Sequence, residues 1–452
     1  MRNSSARVQC GVLIRLFFQR TIFARLLIAA TFSIFQLQVL AQNDVAATNT
    51  ISLADAKRIA FKRNWDLLAA KSGIDAAQAQ LIVAKEFPNP SASLSTAKIG
   101  NQESGTTLGN GLWERNYDSI AAISQLIEIG GKRRDRQVSA KAGVVGARAR
   151  FFDARRSLEQ GVTKAYVAAL LAGENARVLN ESAGMLQHEA IIAQARLKAG
   201  DISDSDKKQI ENNADIFELQ AKSAEATAVQ ARIAVEILLG VEKPTGNWTP
   251  ADTLEQMFDV APQVDKLTNA ARPDVLAAEA DLNQSKSDLK LQKAMRIPDP
   301  TFTVGAEHNP PGGGPPVDTL LVGVSFPLPL WNLNRGEIKS AQATVEKNSL
   351  AVAKAKAQAV ADVANAQSEF SEASERLARY QNQILPKSQK VRESVAFAYE
   401  KGGSSLVDLL EAERADNDAR LATAQALSDT ASAVADLQAA TEVVNRNLST
   451  DE

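Results

Sequence analysis

Apolar residues recur at steps of three and four along two very long stretches of the chain, 135–199 and 337–401. This spacing predicts two helices, each joined by a glycine-containing turn to a returning helix, at 205–239 and 406–447. At 1.5 Å per residue each long helix spans about 95 to 100 Å, more than a globular core requires. The pattern is typical of an antiparallel coiled coil, with its seam predicted at Leu377, Ile384, Val391, Ala398, Leu427, Ala431, Val434, Leu437, Thr441 and Val444.

Prolines mark where the predicted helices end. Helices predicted at 53–85 and 274–296 each stop at a Pro-x-Pro motif, because the residue before a proline favours extended geometry. Pro386 lies inside the second long helix, where it removes a backbone donor, so we expect a kink or a helix boundary there.

Two extended runs follow each Pro-x-Pro motif, separated by a Gly-rich loop. They read "SASLSTAKI" and "YDSIAAISQLIEI" in the first half, and "TFTVGAEH" and "TLLVGVSF" in the second. The second pair alternates more clearly between apolar and polar residues, which predicts β-strands. Its apolar face should carry Phe302, Val304 and Ala306, and its other face Thr301, Thr303, Gly305 and Glu307.

The junction between strand and long helix occurs twice. "SQLIEIGGKRRDRQVSA" begins at Ser124 and "SFPLPLWNLNRGEIKSA" begins at Ser325, and the two align at an offset of 201 without a gap. The repeated order of elements predicts an internal duplication. The predicted segments are a signal peptide at 1–41, a first repeat at 42–240, a connector at 241–271, a second repeat at 272–447 and a tail at 448–452. The junction residues of interest are Gly130, Gly131, Arg134, Pro327, Pro329, Asn334, Arg335 and Gly336.

The N-terminal segment has the features of a secretory signal. Arginines, among them Arg7, Arg15, Arg20 and Arg25, are followed by the apolar run "LLIAATFSIFQLQVLA", with small-residue positions at Val39 and Ala41, so the mature chain should begin near Gln42. A single membrane-spanning anchor is the alternative, although the run is short for one. Cys10 is the only cysteine and precedes the run, so the mature chain is expected to lack disulfides, thiolate metal sites and an N-terminal lipidated cysteine.

Composition narrows the class of protein. The chain has 452 residues, of which 45% are hydrophobic, 23% charged and only 5% aromatic, which resembles long paired helices more than a globular enzyme. The net charge of -2 argues against nucleic acid as a partner. No catalytic arrangement stands out, and the two histidines, His188 and His308, lie in different predicted elements. We therefore predict neither an enzyme nor a cofactor or metal site.

The predicted strands are too few to stand alone. Strands of about 9 to 11 residues suit a bilayer only within a closed barrel, and the smallest such barrels use about eight strands. One chain supplies four, so several copies should pool their strands in a ring with cyclic symmetry.

The order helix, hairpin and long helix pair, repeated over about 51–447, resembles the TolC family of outer-membrane efflux channels. The junctions "SQLIEIGGKRRDR" and "VSFPLPLWNLNRGEI" resemble those of its CzcC-like subgroup, the outer-membrane factors of heavy-metal efflux. The resemblance implies a homotrimer with a twelve-stranded β-barrel in outer-membrane lipid and a periplasmic α-barrel. It also implies partners, namely a periplasmic adaptor and an inner-membrane RND-type pump, and passive conduction of heavy-metal cations to the exterior.

The resemblance also assigns a role to the helix turns. "YEKGGSSLVDLLEAE" resembles the family's periplasmic tip, whose acidic residues line the closed pore, here Asp408 and Glu411. The first-half counterpart "LKAGDISDSDKKQIE" offers Asp201, Asp204 and Asp206, and the turns at Gly200, Gly402 and Gly403 would contact the adaptor. The alternative is that these are ordinary helix-start carboxylates stabilised by the helix dipole, and both can hold together.

Two alternative functions remain open. A channel for drug efflux or type I protein secretion fits the same elements, because the pump normally selects the cargo. A soluble periplasmic coiled-coil scaffold would explain the helices but not the two hairpins with their Pro-x-Pro motifs.

Overall fold

The computed structural model describes residues 50–97, 118–258, 272–309 and 317–444. The predicted signal peptide and C-terminal tail lie outside these residues, as does the second part of the predicted connector. None of the helices in the described ranges combines the length and the apolar character that a membrane crossing requires.

The chain divides into two compact units. The smaller comprises, among the described residues, 50–51 and 247–251. Its strands β1 (Thr50–Ile51) and β4 (Thr249–Pro250) pair in parallel, and Ala251 N donates to Ile51 O at 3.0 Å.

The larger unit, Ser52–Gly246 with Asp252–Glu452, is mostly helical. Its described helices and strands are α1 (Leu53–Arg63), α2 (Trp65–Lys85), β2 (Ser91–Ala97), β3 (Asp118–Leu126), α3 (Lys132–Ala199), α4 (Asp204–Leu238), α5 (Pro273–Ala294), β5 (Thr301–Asn309), β6 (Val317–Ser325), α6 (Arg335–Arg379), α7 (Leu385–Glu400) and α8 (Leu406–Thr441). A 3-10 turn occupies Leu254–Phe258, and a π-helical segment, Tyr380–Ile384, joins α6 to α7.

The long helices pack side by side and bury mainly small side chains. Helix α3 packs along α4, α5 and α8, and α6 packs along α5 and α8. Ala149 and Ala359 are completely buried, because a methyl side chain lets two helix backbones approach closely. Larger buried residues fill the remaining space, among them Val162, Tyr166, Val167 and Leu437. The predicted long helix pairs are therefore present.

The first predicted helix, 53–85, is two helices, so the prediction of one element was wrong. The break is at Asn64, whose ψ of 127° is extended. Asn64 Oδ1 accepts from Leu67 N at 3.0 Å and caps α2, while its Nδ2 donates to Leu238 O at 3.0 Å. An asparagine side chain that satisfies backbone groups in this way competes with helix continuation.

The predicted seam holds only on one side of the π-helical segment. Leu377 is 6% exposed, whereas Ile384 is 38% and Val391 55% exposed in the chain, so the seam through these two residues was wrong. A π-helical turn inserts about one extra residue, which rotates everything after it by about 100° relative to the preceding helix. The predicted disruption near Pro386 thus takes the form of this segment, with the proline in the first turn of α7.

The last helix ends earlier than predicted. Helix α8 stops at Thr441, and Glu442 is extended with a ψ of 124°, so the prediction of a helix as far as 447 was wrong. Leu427, Ala431, Val434 and Leu437 are buried, as the seam predicted, whereas Val444 lies beyond the helix.

The four longer strands form one antiparallel sheet in the order β2-β3-β5-β6. Each hairpin pairs its own strands, and β3 pairs with β5 to join the two hairpins. All four strands lie within the predicted extended runs or within two residues of them. The weaker alternation in the first half therefore did not prevent strand formation.

Candidate functional site

The first helix turn joins α3 to α4. Gly200 ends α3 in the left-handed region, with φ of 82°, and Asp201 N donates to Arg196 O at 3.0 Å. Ser203 then begins α4 with a capping box. Its Oγ accepts from Asp206 N at 3.1 Å, and Asp206 Oδ2 accepts from Ser203 N at 3.3 Å.

The second turn, between α7 and α8, repeats this arrangement. Gly402 has φ of 76°, and Gly403 N donates to Ala398 O at 2.8 Å, which closes the end of α7. Ser405 Oγ accepts from Asp408 N at 3.2 Å, and Asp408 Oδ2 accepts from Ser405 N at 3.0 Å. Asp206 and Asp408 therefore occupy equivalent positions, in the first turn of each returning helix.

Two of the predicted aperture carboxylates have a perturbed pKa. The hydroxyl of Ser405 donates to Asp408 at 2.7 Å and that of Ser404 at 3.1 Å, and the hydrogen bonds from Ser405 and then Ser404 hold the pKa of Asp408 below its usual value. Lys208 Nζ lies 2.6 Å from Asp204, and this bond lowers the pKa of Asp204. The carboxylates of Asp204 and Asp408 are both exposed. Because the pKa of each is lowered, both carboxylates stay ionised in mildly acidic solution.

The two returning helices differ in charge. Residues 406–413 carry three carboxylates and no basic residue, namely Asp408, Glu411 and Glu413. Residues 204–211 also carry three carboxylates, but Lys207 and Lys208 lie among them and pair with Glu211 at 2.9 Å and with Asp204 at 2.6 Å. At the spacing of 202 that relates Asp206 to Asp408, Glu411 corresponds to Gln209. Glu413 is offset by Arg392 at 3.5 Å, so the second turn is the more anionic one through Asp408 and Glu411.

A buried charge network near the second turn was not identified from the sequence. Arg420 Nε lies 2.9 Å from Asp416, which is only 2% exposed, and Arg392 Nε lies 3.3 Å from the same carboxylate. Arg392 also lies 3.5 Å from Glu413, and Arg420 lies 3.6 Å from Glu181. Burial raises the pKa of Glu413. The sequence did contain a sign of this network. Glu413, Asp416 and Arg420 are three and four residues apart, so they share one helix face, with the spacing that apolar residues have in the predicted seam.

The two histidines lie far apart in sequence and in different surroundings. His188 lines a cavity of about 690 Å³ between α3, α4, α7 and α8, where Arg196 lies over the ring of Tyr399 at 5.3 Å. His308 Nδ1 lies 2.6 Å from Asp318 across the hairpin of β5 and β6. Within the described ranges, no group of three or more His, Cys, Asp or Glu residues could hold a metal ion.

The sheet has one apolar face, and its register extends that face over all four strands. Phe302 and Val304 are exposed on it, while Thr303 on the opposite face bonds Ser124 at 2.9 Å between hydroxyl oxygens. The apolar face also carries Ala92, Leu94, Ala121, Ile123, Ala306, Leu320, Val322 and Val324. Exceptions include polar residues on the apolar face, namely Thr96, Ser119, Gln125, His308 and Asp318, and apolar residues on the polar face, namely Ile120, Ala122, Leu126, Val317 and Leu321.

The first junction, between β3 and α3, is held by a buried ion pair. Gly130 and Gly131 have φ of 73° and 81°, left-handed values that favour glycine. They turn the chain so that Lys132 Nζ lies 2.7 Å from Asp299, with both side chains largely buried. Asp299 Oδ1 also accepts from Ile129 N at 2.9 Å. The second Pro-x-Pro motif is thereby tied to the start of α3.

Arg133 and Arg136, rather than the predicted junction residue Arg134, make the other contacts of this junction. Arg134 itself is 82% exposed. The guanidinium of Arg133 lies 3.7 Å from the centre of the Phe87 ring, and Arg136 lies 2.6 Å from Glu128. The sequence therefore identified the basic segment at the start of α3. It did not show which of its arginines make contacts, because that depends on which side of the helix each one lies on.

The second junction, between β6 and α6, has a longer connection. Asn334 begins α6 with φ of 54°, and its Nδ2 donates to Gln292 O at 2.8 Å. Arg335 and Gly336 are the first helical residues and are exposed. Pro327 and Pro329 lie in the connection that precedes them, 326–334.

The gapless alignment of the two junctions does not survive in the structure. Strands β3 and β6 begin 199 residues apart, at Asp118 and Val317, whereas α3 and α6 begin 203 apart, at Lys132 and Arg335. The second connection is therefore four residues longer, and the offset of 201 pairs residues that have different local structure.

A family model described as outer membrane efflux protein matches residues 56–241 and 266–442. Together these ranges include both long helix pairs and the four-stranded sheet.

Individual proteins show the same similarity. The cobalt-zinc-cadmium resistance protein CzcC of Cupriavidus metallidurans is 24% identical over 375 residues, which are 83% of this chain and 86% of that protein. The pyoverdine export outer membrane protein OpmQ of Pseudomonas putida is 23% identical over 395 residues, 81% of this chain and 82% of that protein. A crystal structure of CusC, 16% identical, superimposes with a TM-score of 0.74 over 89% of this chain and 95% of CusC.

Proposed function

The chain belongs to the outer membrane efflux protein family, whose members are channels of the outer membrane and not enzymes. We propose that it is the outer-membrane subunit of a tripartite RND-type efflux system for heavy-metal cations. In this role the chain passively conducts cations that an inner-membrane pump and a periplasmic adaptor deliver.

The anionic second turn is the observation that supports a cationic cargo. Asp408 and Glu411 lie in the first two turns of α8 without a basic residue among positions 406–413, and the low pKa of Asp408 keeps that carboxylate charged. A mouth of one charge sign concentrates ions of the opposite sign. The similarity to a cobalt-zinc-cadmium resistance protein agrees with this polarity.

Three chains form the channel in this proposal. Each contributes the four strands β2, β3, β5 and β6 to a twelve-stranded barrel, with the apolar face toward lipid and the face of Thr303 toward the lumen. The chain is an internal duplication, 42–240 and 272–447, joined by the connector 241–271. The repeated order of strand, long helix and returning helix supports this division.

The helix turns form the periplasmic end in this proposal. Three copies of Asp408 and Glu411 make a ring of six carboxylates at the aperture, with Asp204 and Asp206 of the first turn contributing beside them. The turns at Gly200, Gly402 and Gly403 contact the adaptor. A weakly binding wall suits conduction better than a tight metal site, because ions must leave as well as enter.

Deletion of the gene tests the cargo. Cells without the protein should lose tolerance to cobalt, zinc or cadmium, and a plasmid copy should restore it. Unchanged metal tolerance in the deletion strain would contradict the proposed cargo. The protein itself should fractionate with outer membranes as a detergent-resistant trimer, and recovery as a soluble periplasmic monomer would contradict the channel.

Export of an organic molecule is the second candidate function. The similarity to OpmQ, a pyoverdine export protein, favours it, with nearly the same identity and coverage as CzcC. Loss of tolerance to drugs, or of secretion of an organic product, with unchanged tolerance to metals would select this candidate.

A further inference from the structure

The connection between β6 and α6, residues 326–334, exposes large apolar side chains. Trp331 is 93% exposed, and four further apolar residues of the connection have more than a third of their surface exposed, namely Phe326, Leu328, Leu330 and Leu333. Contiguous exposed apolar surface of this kind marks a site of interaction. We call residues 326–334 the apolar loop.

The apolar loop is fixed at its base and free of strand pairing along its length. Arg296 Nε donates to Leu333 O at 3.1 Å, and Asn334 Nδ2 donates to Gln292 O at 2.8 Å. Pro327 and Pro329 have a fixed φ and cannot donate hydrogen bonds, and Leu330 N donates to Leu328 O at 2.9 Å in a tight turn around Pro329. The loop is therefore a stiff projection whose side chains, rather than backbone, make the contacts.

The position of the apolar loop points to lipid. It follows directly on β6, whose residues Leu320, Val322 and Val324 belong to the apolar face of the sheet. The corresponding connection after β3, residues 127–131, is shorter by four residues and has no aromatic residue. Ile127 and Ile129 are exposed in that shorter connection, so apolar surface continues past the end of both strands, but only the connection after β6 adds aromatic side chains and a longer apolar projection.

The chemistry of the apolar loop also suits the headgroup region of a bilayer. Tryptophan prefers that region, because its ring is apolar while its N–H can bond water or a headgroup. Residues 326–340 contain Arg335 and Lys339 but only one carboxylate, Glu337. Two cations beside an apolar wedge complement the phosphates of phospholipids.

We propose that the apolar loop is an interfacial anchor, in which Leu328, Leu330 and Trp331 insert into the phospholipid leaflet that faces the periplasm. This inference rests on the proposed channel, since it requires the sheet to cross the outer membrane. Prolines at alternate positions make the loop a poor strand partner, which disfavours a second copy of the chain as the occupant.

Tryptophan fluorescence tests the anchor in the full-length protein. The protein is reconstituted into vesicles of phosphatidylethanolamine and phosphatidylglycerol that contain phosphatidylcholine brominated near the headgroup end of its acyl chains. The difference between wild type and Trp331→Phe isolates the emission of Trp331. That emission should fall about twofold or more with brominated lipid and should resist iodide in the water.

Trp65→Phe is the matched control, because Trp65 is exposed on α2 and not in the apolar loop. This substitution should leave the lipid-dependent quenching unchanged. Quenching of the Trp331 emission by iodide would place the residue in water and overturn the anchor. Protection from both quenchers would place it against another copy of the chain, which also overturns the anchor.

Conductance separates the two proposals. The same preparations are added to planar bilayers. If the protein forms channels but iodide quenches the emission of Trp331, the anchor is contradicted and the proposed channel is not. Absence of both channels and membrane insertion would remove the proposed channel, and the anchor with it.

Discussion

The ammonium group of Lys132 lies 2.7 Å from the carboxylate of Asp299 where α3 begins, and only 8% and 18% of the two side chains are exposed. This contact joins residues that are far apart in sequence. It fixes the second Pro-x-Pro motif against the first junction, so it couples the two halves of the chain at the end of the sheet.

Substitution of Asp299 by Ala should therefore destabilise the fold. It leaves the ammonium group of Lys132 bonded to Ile297 O at 2.5 Å but without its counterion, and Ile129 N without its acceptor, at a cost of about 3 kcal/mol. Thermal unfolding in detergent, followed by circular dichroism, measures the change. Arg58→Ala is the control, because the pair of Arg58 and Asp55 is exposed to solvent and should contribute little to stability. Equal unfolding temperatures for both variants would contradict a structural role of the buried pair.

The double substitution Asp408→Asn with Glu411→Gln should lower cation selectivity in planar bilayers and weaken block by multivalent cations. Asparagine still accepts the capping hydrogen bonds of Ser405, so the charge is removed while the helix start is kept. The yield of trimers should not change, because the long helices α6, α7 and α8 separate this turn from the strands of the sheet.

Asp204→Asn with Asp206→Asn is the matched control at the first turn, where Lys207 and Lys208 already offset the carboxylates. It should alter selectivity less. If the first-turn variant has the larger effect, the dominant carboxylates are Asp204 and Asp206, with Asp201 the next to test.

The contribution of Asp408 to selectivity should persist to unusually low pH. Its folded-state pKa is below the usual value of about 3.9, so the carboxylate stays charged, and its stabilising hydrogen bonds are retained, until the pH falls through that lowered value. Ser405→Ala removes the first cause of the shift, so the charge should then be lost at higher pH. Reversal potentials across a pH series measure this, and identical profiles for the two proteins would contradict the role of Ser405.

The two faces of β5 should tolerate charge differently. Val304→Arg places a guanidinium on the apolar face and should cost about 2 to 4 kcal/mol if that face meets lipid near the midplane, whereas Thr303→Arg should be tolerated better. The yield of heat-resistant trimers measures both. Equal losses would mean that the assignment of the faces is wrong.

Glycine should matter at the second turn but not at the start of α6. Gly402→Ala forces a left-handed φ of 76° on alanine and should destabilise the hairpin of α7 and α8 by about 1 kcal/mol. Gly336→Ala lies in a helix and should be neutral or stabilising by up to about 1 kcal/mol. An added Cβ meets no atom within 4 Å at either position, so the comparison isolates backbone conformation. Unfolding temperatures that fall equally would contradict this explanation.

The sequence predicted the elements well because their signals are local and periodic. The strands and the two helix turns follow from alternation, Pro-x-Pro motifs and glycines, each of which acts on its own neighbourhood. The break at Asn64 was missed because its side chain bonds Leu238 O, a partner 174 residues away. The seam was wrong at Ile384 and Val391 because the π-helical segment changes the phase of the helix that continues from it, α7.

The candidate site was predictable in composition but not in contacts. Glycines and serines followed by acidic residues identify the two turns and their caps. The network of Arg392, Asp416 and Arg420 depends on which helix faces meet, and periodicity alone does not determine that. The same holds for Lys132 and Asp299, whose pairing requires the fold of the whole chain.

The order of the sheet has a consequence for how the chain matures. Strands β2 and β6 each have one partner among the described strands, so the outer edge of each presents backbone donors and acceptors without a strand. In the proposed barrel these edges lie in hydrocarbon, where every unpaired group costs several kcal/mol until another copy supplies the missing edge. Insertion and assembly would then be a single event, and the amount of folded protein would depend on the concentration of newly exported chains. A copy with a damaged β6 would still offer an intact β2, join its neighbours and leave the ring open, so a defective allele would act dominantly over a normal one.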